Sequence, residues 1–263
     1  MTRILTVDAF TSEPFRGNPA GVCFLEEPRE DAWMQRVASE LNLAETAFLR
    51  PKADGDFDLK WFTPTIEMDL CGHATLASAH FLWESGRLPA GKTARFHTKS
   101  GLLTADLRGD WIELDFPSTP DTKSDPPAGL LEALGAEPRY VGRSVFDYIV
   151  ELDSEASVAA LSPDLGRLAK VPARGVIATA PSAVPGYDFV SRFFAPAAGV
   201  DEDPVTGSAH CCLVPFWNRR LGKDTFVARQ ISRRGGVLRL RLAGDRVKMS
   251  GQAVTVIQGD LRA

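Results

Sequence analysis

The stretch Cys71-Gly72-His73-Ala74-Thr75 has a counterpart 135 positions later, Thr206-Gly207-Ser208-Ala209-His210. When the sequence is slid by 135 positions, glycines and apolar residues coincide from Gly72 to Leu114 without a gap. A three-residue adjustment upstream also brings Trp61-Phe62-Thr63-Pro64 onto Phe193-Phe194-Ala195-Pro196. Coincidence over this length predicts a duplicated chain that folds as two similar modules.

Each of the two stretches opens an apolar segment that we predict to be helical. Residues 74–83 and 209–217 are apolar nearly all round, which is typical of a helix buried within its module. A surface helix is also predicted in each module, at 31–41 and at 154–168. The remaining periodicity is mostly that of short strands. In the first module we place these strands at 4–9, 21–25, 45–49, 58–62, 102–107 and 111–116.

These elements predict an α+β fold of two pseudo-symmetric, barrel-like modules. In each module, a mainly antiparallel sheet curled around a central helix would bury that helix on every side. The first module covers 1–117 and the second covers 128–252. The segment 118–127 is rich in proline, which cannot donate to a strand ladder, and is predicted to be a linker. A last strand-like segment, 253–263, is expected to return to the first module.

The composition favours a soluble protein that acts on small molecules. The 263 residues carry 30 basic and 34 acidic side chains, and no Lys/Arg stripe alternates with aromatic residues, which argues against a nucleic-acid partner. No apolar run approaches the ~20 residues of a membrane span. No signal peptide is recognised at the N-terminus. Cys23, Cys71, Cys211 and Cys212 form no CxxC pair, which favours a reducing cytoplasm and gives no zinc-site spacing.

The two glycine turns are candidate binding sites for a carboxylate. A helix start leaves backbone N–H groups unpaired and carries a partial positive charge. Gly72 and Gly207 can therefore present donors to an anion. If the two modules face each other, both helix starts converge on one cleft. The alternative is that both glycines are only tight turns before core helices.

Polar side chains flank both turns. His73 and Ser208 follow the glycines, and Asp203 precedes the second one. For His73 and Asp203, the alternative role is that of a plain helix-start partner. Glu45 lies on the same face of its strand as apolar residues. A carboxylate placed there is either at an open edge or partly desolvated, and partial desolvation adapts a carboxyl group to acid–base catalysis.

Cys71 offers a different chemistry, because a thiolate at a helix start is stabilised and can act as a base or nucleophile. A two-base racemase needs a second thiol at the matching turn, and the repeat places Thr206 there. A symmetric cysteine pair is therefore not available, whereas a Cys71-dependent epimerase or hydrolase stays open. His80 and His210 are expected to be core histidines.

Four stretches follow one another along the chain. They are Asp8-Ala9-Phe10 with Phe15-Arg16-Gly17-Asn18-Pro19-Ala20-Gly21-Val22, Leu43-Ala44-Glu45-Thr46-Ala47-Phe48, Asp69-Leu70-Cys71-Gly72-His73-Ala74-Thr75, and Glu202-Asp203-Pro204-Val205-Thr206-Gly207-Ser208-Ala209. Together they resemble the phenazine-biosynthesis PhzF-like family, whose fold is that of diaminopimelate epimerase. The resemblance spans essentially the whole chain. It implies a cofactor-independent isomerase or epimerase that works in the cleft between two halves, usually as a homodimer.

The resemblance also implies roles for individual residues. It makes Glu45 the acid/base group, and Gly72 and Gly207 the backbone donors to a substrate carboxylate. The substrate-binding residues that it implies are Asn18, Gly72, His73, Asp203, Gly207 and Ser208. The epimerase relatives use two cysteines, of which this chain retains only Cys71, so two-thiol racemisation is not expected.

The sequence leaves three functions open. The first is proton transfer on a small carboxylate-bearing substrate by Glu45 alone. The second is a Cys71-dependent epimerase or hydrolase, and the third is a small-molecule-binding protein without catalysis. No metal or cofactor is expected in any of them. The substrate itself cannot be predicted, because loops such as 51–58 and 181–187 carry no decodable signal.

Overall fold

The computed structural model describes residues 2–262. The chain divides into two compact units. Unit 1 runs to Asp115 and includes the residues from Ser250 onward, whereas unit 2 covers Phe116–Met249. Strands dominate both units and helices are few, which confirms the predicted α+β class. Within the described part of the chain, no helix is both long enough and apolar enough to cross a membrane.

Unit 1 has a mainly antiparallel sheet and two helices. Its strands are β1 Thr2–Ala9, β2 Asn18–Phe24, β3 Glu45–Pro51, β4 Phe57–Phe62, β5 Glu67–Met68, β6 Ala94–Thr98, β7 Gly101–Arg108, β8 Trp111–Pro117 and β17 Ala253–Leu261. Its helices are α1 Asp31–Leu41 and α2 Gly72–Glu84. The neighbouring pairs β2–β3 and β4–β6 are parallel, and the pairs β17–β1, β1–β2, β3–β4, β4–β5, β6–β7 and β7–β8 are antiparallel.

The two helices of unit 1 are buried to different degrees. Helix α2 is buried along most of its length and packs on β1, β2, β3 and β17, as expected for a helix that is apolar nearly all round. Helix α1 buries only the face that carries Met34, Val37 and Ala38. It ends at Asn42, whose left-handed backbone conformation is a common helix terminator. Both predicted helices of this unit are confirmed.

Unit 2 has the same kinds of element. Its strands are β9 Thr122–Lys123, β10 Tyr140–Arg143, β11 Asp147–Glu151, β12 Gly175–Pro181, β13 Phe189–Phe194, β14 Thr225–Gln230, β15 Gly236–Ala243 and β16 Arg246–Gly251, of which the last ends beyond the unit boundary. Its helices are α3 Leu130–Leu134, α4 Glu155–Ala159, α5 Leu165–Leu168 and α6 Gly207–Leu221, with a 3₁₀ turn at Pro196–Ala198. Helix α6 is the buried one.

The two units repeat one order of strand pairings. From β1 through β4, β6 and β7, successive pairs are antiparallel, parallel, antiparallel, parallel and antiparallel. The strands from β10 to β15 follow the same order. The shift of 135 positions relates the first residues of α2 and α6, of β7 and β15, and of β8 and β16. The predicted pseudo-symmetry of the fold is therefore confirmed.

One predicted helix, 154–168, is wrong as a single element. The structure has two short helices there, α4 and α5. Pro163 lies between them and lacks the N–H that a continuous helix requires. Each short helix has its own cap: the Ser154 hydroxyl accepts from the Ser157 N–H, and the Asp164 carboxylate accepts from the Arg167 N–H.

The proline-rich segment 118–127 contains a short strand and a buried carboxylate. Strand β9 lies within it and pairs with β10. The Asp121 side chain is fully buried, forms an ion pair with Arg219 and accepts a hydrogen bond of 2.7 Å from the Tyr140 hydroxyl. These contacts attach the segment to the rest of unit 2.

Candidate active site

The first group of candidate residues lies at the start of α2 in unit 1. Strands β2 and β3 are parallel neighbours in which Ala20 pairs with Glu45, so Asn18 and Glu45 lie at the same edge of the sheet. Cys71 is the extended N-cap residue of α2, and His73 lies in the first turn of this helix. We call Asn18, Glu45, Cys71 and His73 the α2 site.

His73 is the centre of the α2 site. Its Nε2 lies 3.2 Å from Oε2 of Glu45. Its Nδ1 lies 3.3 Å from Nδ2 of Asn18 and 3.6 Å from Sγ of Cys71. Asn18, Cys71 and His73 are buried, whereas 17% of the Glu45 side chain is exposed. Glu45 is therefore the member of the site that a ligand can reach.

The contact between Glu45 and His73 has the distance of an ion pair but not the angle of a hydrogen bond. The contact carries a strong electrostatic effect nonetheless. Burial opposes a charge on the ring, but the neighbouring Cys71 and Glu45 outweigh burial and raise the pKa of His73 well above its ordinary value.

Cys71 keeps its proton in this environment. Burial, and then the negative charge of Glu45, raise the pKa of the Cys71 thiol above its ordinary value, although His73 acts in the opposite direction. A buried thiol with a raised pKa is a poor nucleophile and a poor base near neutral pH.

The α2 site also has side chains of the type that bind metal ions. One ligand atom each from Glu45, Cys71 and His73 lies within 4.8 Å of the others. A thiolate, neutral imidazole and carboxylate form a donor set that suits zinc. Zinc binding would require Cys71 and His73 to lose their protons, and the two raised pKa values oppose this loss.

The second group of candidate residues lies at the start of α6 in unit 2. Thr206 is the extended N-cap residue. Its N–H donates to Oε1 of Gln230 at 2.9 Å, and its hydroxyl donates to Oδ2 of Asp203 at 2.5 Å. The Gln230 amide donates in turn to the backbone oxygen of Asp203 at 2.7 Å. Asp203 and Gln230 together brace the turn before Gly207, the first residue of α6.

Ser208 has a charged partner that no sequence motif indicated. Nη2 of Arg174 donates to the Ser208 Oγ at 2.9 Å. Arg174 also donates to Asp147, from Nε at 2.9 Å and from Nη2 at 2.5 Å. Burial raises the pKa of the Asp147 carboxyl, although the bond to Arg174 and its charge act in the opposite direction. We call Arg174, Asp203, Thr206, Gly207 and Ser208 the α6 site.

The two sites differ at the first residue of one strand, β3 in unit 1 and β12 in unit 2. The first residue of β3 is Glu45, whereas the first residue of its counterpart β12 is Gly175. A Cβ atom at position 175 would lie 2.3 Å from Cζ of Phe193. The Phe193 ring occupies the space that a side chain would need, so the α6 site has no carboxylate in the place of Glu45.

Of the other histidines near the two helices, His210 is fully buried, as expected, whereas His80 is only partly buried. Nδ1 of His210 is bonded to the backbone oxygen of Thr206 at 2.8 Å, and its ring stacks on Phe189. Burial lowers the pKa of His210 to about 4. His80 contacts the Thr255 hydroxyl at 3.2 Å and Glu84 at 3.5 Å.

The structure brings the predicted residues together in two groups. Asn18, Glu45 and His73 meet in unit 1, and Asp203 and Ser208 flank Gly207 in unit 2. Gly72 and Gly207 are the first residues of α2 and α6, where backbone N–H groups have no partner within the helix. That both groups serve one substrate stays a prediction.

Comparisons with known proteins agree along almost the whole chain. The model of a family described as phenazine biosynthesis-like protein, PhzC-PhzF, matches residues 7–259. An uncharacterized isomerase of Halalkalibacterium halodurans is 55% identical over 261 residues, which cover 99% of this chain and 98% of that protein. A crystal structure of a PhzF-family protein from Enterococcus faecalis is 38% identical with a TM-score of 0.93, over 100% of this chain and 99% of that one.

A more distant comparison concerns the fold alone. A probable proline racemase from Agrobacterium radiobacter has a TM-score of 0.67 at 15% identity, over 99% of this chain and 93% of that one. Its likeness agrees with the predicted epimerase-like fold.

Proposed function

Because this chain belongs to the PhzC/PhzF phenazine biosynthesis-like family and is an isomerase, we propose that it moves a proton on a small carboxylate-bearing substrate with Glu45 as its single acid/base group. The observation that carries the proposal is the pair that Glu45 forms with His73. Their atoms lie 3.2 Å apart at the start of α2, where Glu45 is partly exposed and His73 is buried.

The pair suits proton transfer because it combines a reachable base with a fixed positive neighbour. The pKa of His73 is raised, which favours the protonated, positively charged ring. Glu45, as a carboxylate, can remove a proton from an activated C–H group. The same glutamate, now protonated, returns the proton to another carbon of the conjugated system. A single group suffices if both steps occur on one face of the substrate.

Negative charge develops next to the substrate carboxylate when the proton leaves. We propose that backbone N–H groups at Gly72 and Gly207 hold that carboxylate and stabilise the charge, and that the Ser208 hydroxyl helps to hold the carboxylate. His73 adds a positive charge on the α2 side. Asp203 acts by bracing Thr206, through the bond between their side chains.

The Cys71-dependent alternative is less well supported. The thiol is buried and its pKa is raised, so little thiolate is present near neutral pH. The helix start that would stabilise a thiolate is outweighed here by burial and by the negative charge of Glu45. Action without a cofactor, a homodimeric state and residence in the cytoplasm remain proposals that rest on the sequence.

Solvent exchange in D₂O tests the proposal across a range of candidate substrates. The enzyme is incubated with a panel of 2-amino, 2-oxo and β,γ-unsaturated carboxylic acids, and deuterium uptake is followed by proton NMR and mass spectrometry. For any compound that takes up deuterium with the wild-type enzyme, we expect the rate of uptake to be about 100-fold lower, or lower still, with Glu45→Gln. Glu40→Gln, on the exposed face of α1, is the matched control and should exchange at the wild-type rate. Undiminished exchange in Glu45→Gln would refute the assignment of Glu45 as the acid/base group.

A further inference from the structure

Arg174 is held in one orientation by a buried carboxylate. Nε and Nη2 of Arg174 donate to the two oxygens of Asp147, at 2.9 and 2.5 Å. The Asp147 side chain is only 2% exposed, whereas Arg174 is 40% exposed. The guanidinium group also lies over the Phe146 ring at 5.0 Å. A planar fork fixed on both oxygens of a carboxylate has little freedom to turn, so the third contact of Arg174 is fixed as well.

The contact with Arg174 determines whether the Ser208 hydroxyl donates or accepts a hydrogen bond. Nη2 lies 2.9 Å from Oγ of Ser208. A guanidinium group only donates hydrogen bonds, so the serine oxygen must be the acceptor in this pair. The hydroxyl hydrogen is then left for another partner. Among residues 2–262, no protein group accepts it at hydrogen-bond distance.

The neighbourhood of Ser208 favours an anionic partner. The oxygen accepts from a permanent cation, which makes the O–H a stronger donor. Ser208 also lies in the first turn of α6, where backbone N–H groups are unpaired. The charge of Arg174 is balanced by Asp147, so the arrangement does not depend on an ionised ligand to be stable in the free protein.

We propose that Arg174, anchored on Asp147, is a positioning residue that directs the Ser208 hydroxyl as a hydrogen-bond donor to the carboxylate of the substrate. This inference rests on the proposed function, because it takes the bound group to be the carboxylate of the isomerised acid. It adds two residues, Arg174 and Asp147, that no sequence motif indicated. It also makes the α6 site selective for an anion over an uncharged group of the same shape.

Binding of benzoate, compared with its uncharged analogue benzamide, tests the inference apart from catalysis. The dissociation constant is measured by titration into ¹⁵N-labelled protein, with the amide signals of Gly207 and Ser208 as the local readout. We expect benzoate to bind the wild type and Glu45→Gln equally well, and more tightly than benzamide. Ser208→Ala should weaken benzoate binding about tenfold, the loss of one charge-assisted hydrogen bond.

Removal of Arg174 alone would leave Asp147 buried without its cation, which destabilises a fold. The double variant Arg174→Gln/Asp147→Asn removes both charges together, and its binding constant is therefore the decisive one. We expect it to weaken benzoate binding about tenfold. Adding Ser208→Ala to it should have no further effect, because all three substitutions remove the same hydrogen bond. Arg174→Lys keeps a cation beside Asp147. It should therefore bind benzoate more tightly than Arg174→Gln/Asp147→Asn does.

The matched control is Arg167→Gln, an exposed arginine of unit 2 that is paired with Asp164. It should bind benzoate as the wild type does. The inference is overturned if Arg174→Gln/Asp147→Asn binds benzoate within twofold of the wild type, if its effect multiplies with that of Ser208→Ala, or if the wild type does not prefer benzoate to benzamide. Exchange that persists in Glu45→Gln would instead refute the proposed function and leave these binding results untouched.

Discussion

The starts of α2 and α6 have equivalent positions in the repeat but different chemistry. Each begins with an extended N-cap residue followed by glycine. In unit 1 the next residue is His73, which faces the partly exposed Glu45. In unit 2 the next residue is Ser208, which faces the ion pair of Arg174 and Asp147. Duplication has kept a glycine at both helix starts, whereas the side chains beside it differ: a glutamate and a histidine in unit 1, and a serine with an arginine–aspartate pair in unit 2.

The comparison extends one turn into each helix. Thr75 and His210 are equivalent in the repeat, and both side chains bond to the backbone oxygen of the N-cap residue. The Thr75 hydroxyl donates to Cys71 at 2.5 Å, and Nδ1 of His210 donates to Thr206 at 2.8 Å. A histidine at this place is therefore a structural donor, which distinguishes His210 from His73.

The largest effect on the comparison is expected from His73→Asn. Loss of the imidazolium group removes the positive neighbour of Glu45, and we expect deuterium exchange to fall about 100-fold. The pKa of His73 is raised, so wild-type activity should persist through neutral pH and fall as the pH rises through that pKa. The variant should lack this alkaline decline. His80→Asn is the control, and an exchange rate of His73→Asn within threefold of the wild type would contradict the role given to His73.

Gly175→Ala tests why the α6 site has no counterpart of Glu45. The new Cβ would lie 2.3 Å from the Phe193 ring, so the ring must move. We expect the free energy of unfolding to fall by about 2 kcal/mol. Gly166→Ala in α5 has only an ordinary contact of 3.5 Å and should be neutral or slightly stabilising. Equal stability of the two variants in denaturant titrations would show that position 175 is open to a side chain.

His210 should make unit 2 sensitive to acid through its structural role. Its folded pKa is about 4 against an ordinary 6.5, so the unfolded state binds more protons between these values. Stability is therefore complete above pH 6.5 and is lost as the pH falls toward 4. The loss between pH 7 and pH 5 should be about 2 kcal/mol. In urea titrations at the two pH values, the free energy of unfolding should fall less in His210→Asn, because asparagine does not titrate. An equal fall in the variant and the wild type would argue that His210 is protonated in the folded protein.

The smallest effect is expected from Cys71→Ser. The thiol is buried and its pKa is raised, so it contributes no base at neutral pH. We expect exchange within about threefold of the wild-type rate. A loss of about 100-fold, with the fold intact by circular dichroism, would restore the cysteine-dependent alternative.

The sequence was sufficient to predict the repeat and both buried helices, because a glycine followed by an apolar segment recurs at one spacing. It also placed Glu45 and His73 at a site through a resemblance of motifs. It was not sufficient to indicate Arg174, which lies just before β12. The 135-residue shift aligns the two buried helices but does not align β12 with β3, so it did not relate Arg174 to the residues next to Glu45. The helix predicted at 154–168 is interrupted because Pro163 outweighs the amphipathic pattern around it.

We propose that the two sites divide the reaction, so that the α2 site transfers the proton and the α6 site binds the carboxylate. This division is tested by deuterium exchange and benzoate affinity, measured side by side in Glu45→Gln and Ser208→Ala. We expect Glu45→Gln to lose exchange by about 100-fold or more and to keep the benzoate affinity of the wild type. We expect Ser208→Ala to lose about tenfold in affinity and to keep exchange at saturating substrate within a few-fold. Exchange at the wild-type rate in Glu45→Gln would refute the role proposed for the α2 site.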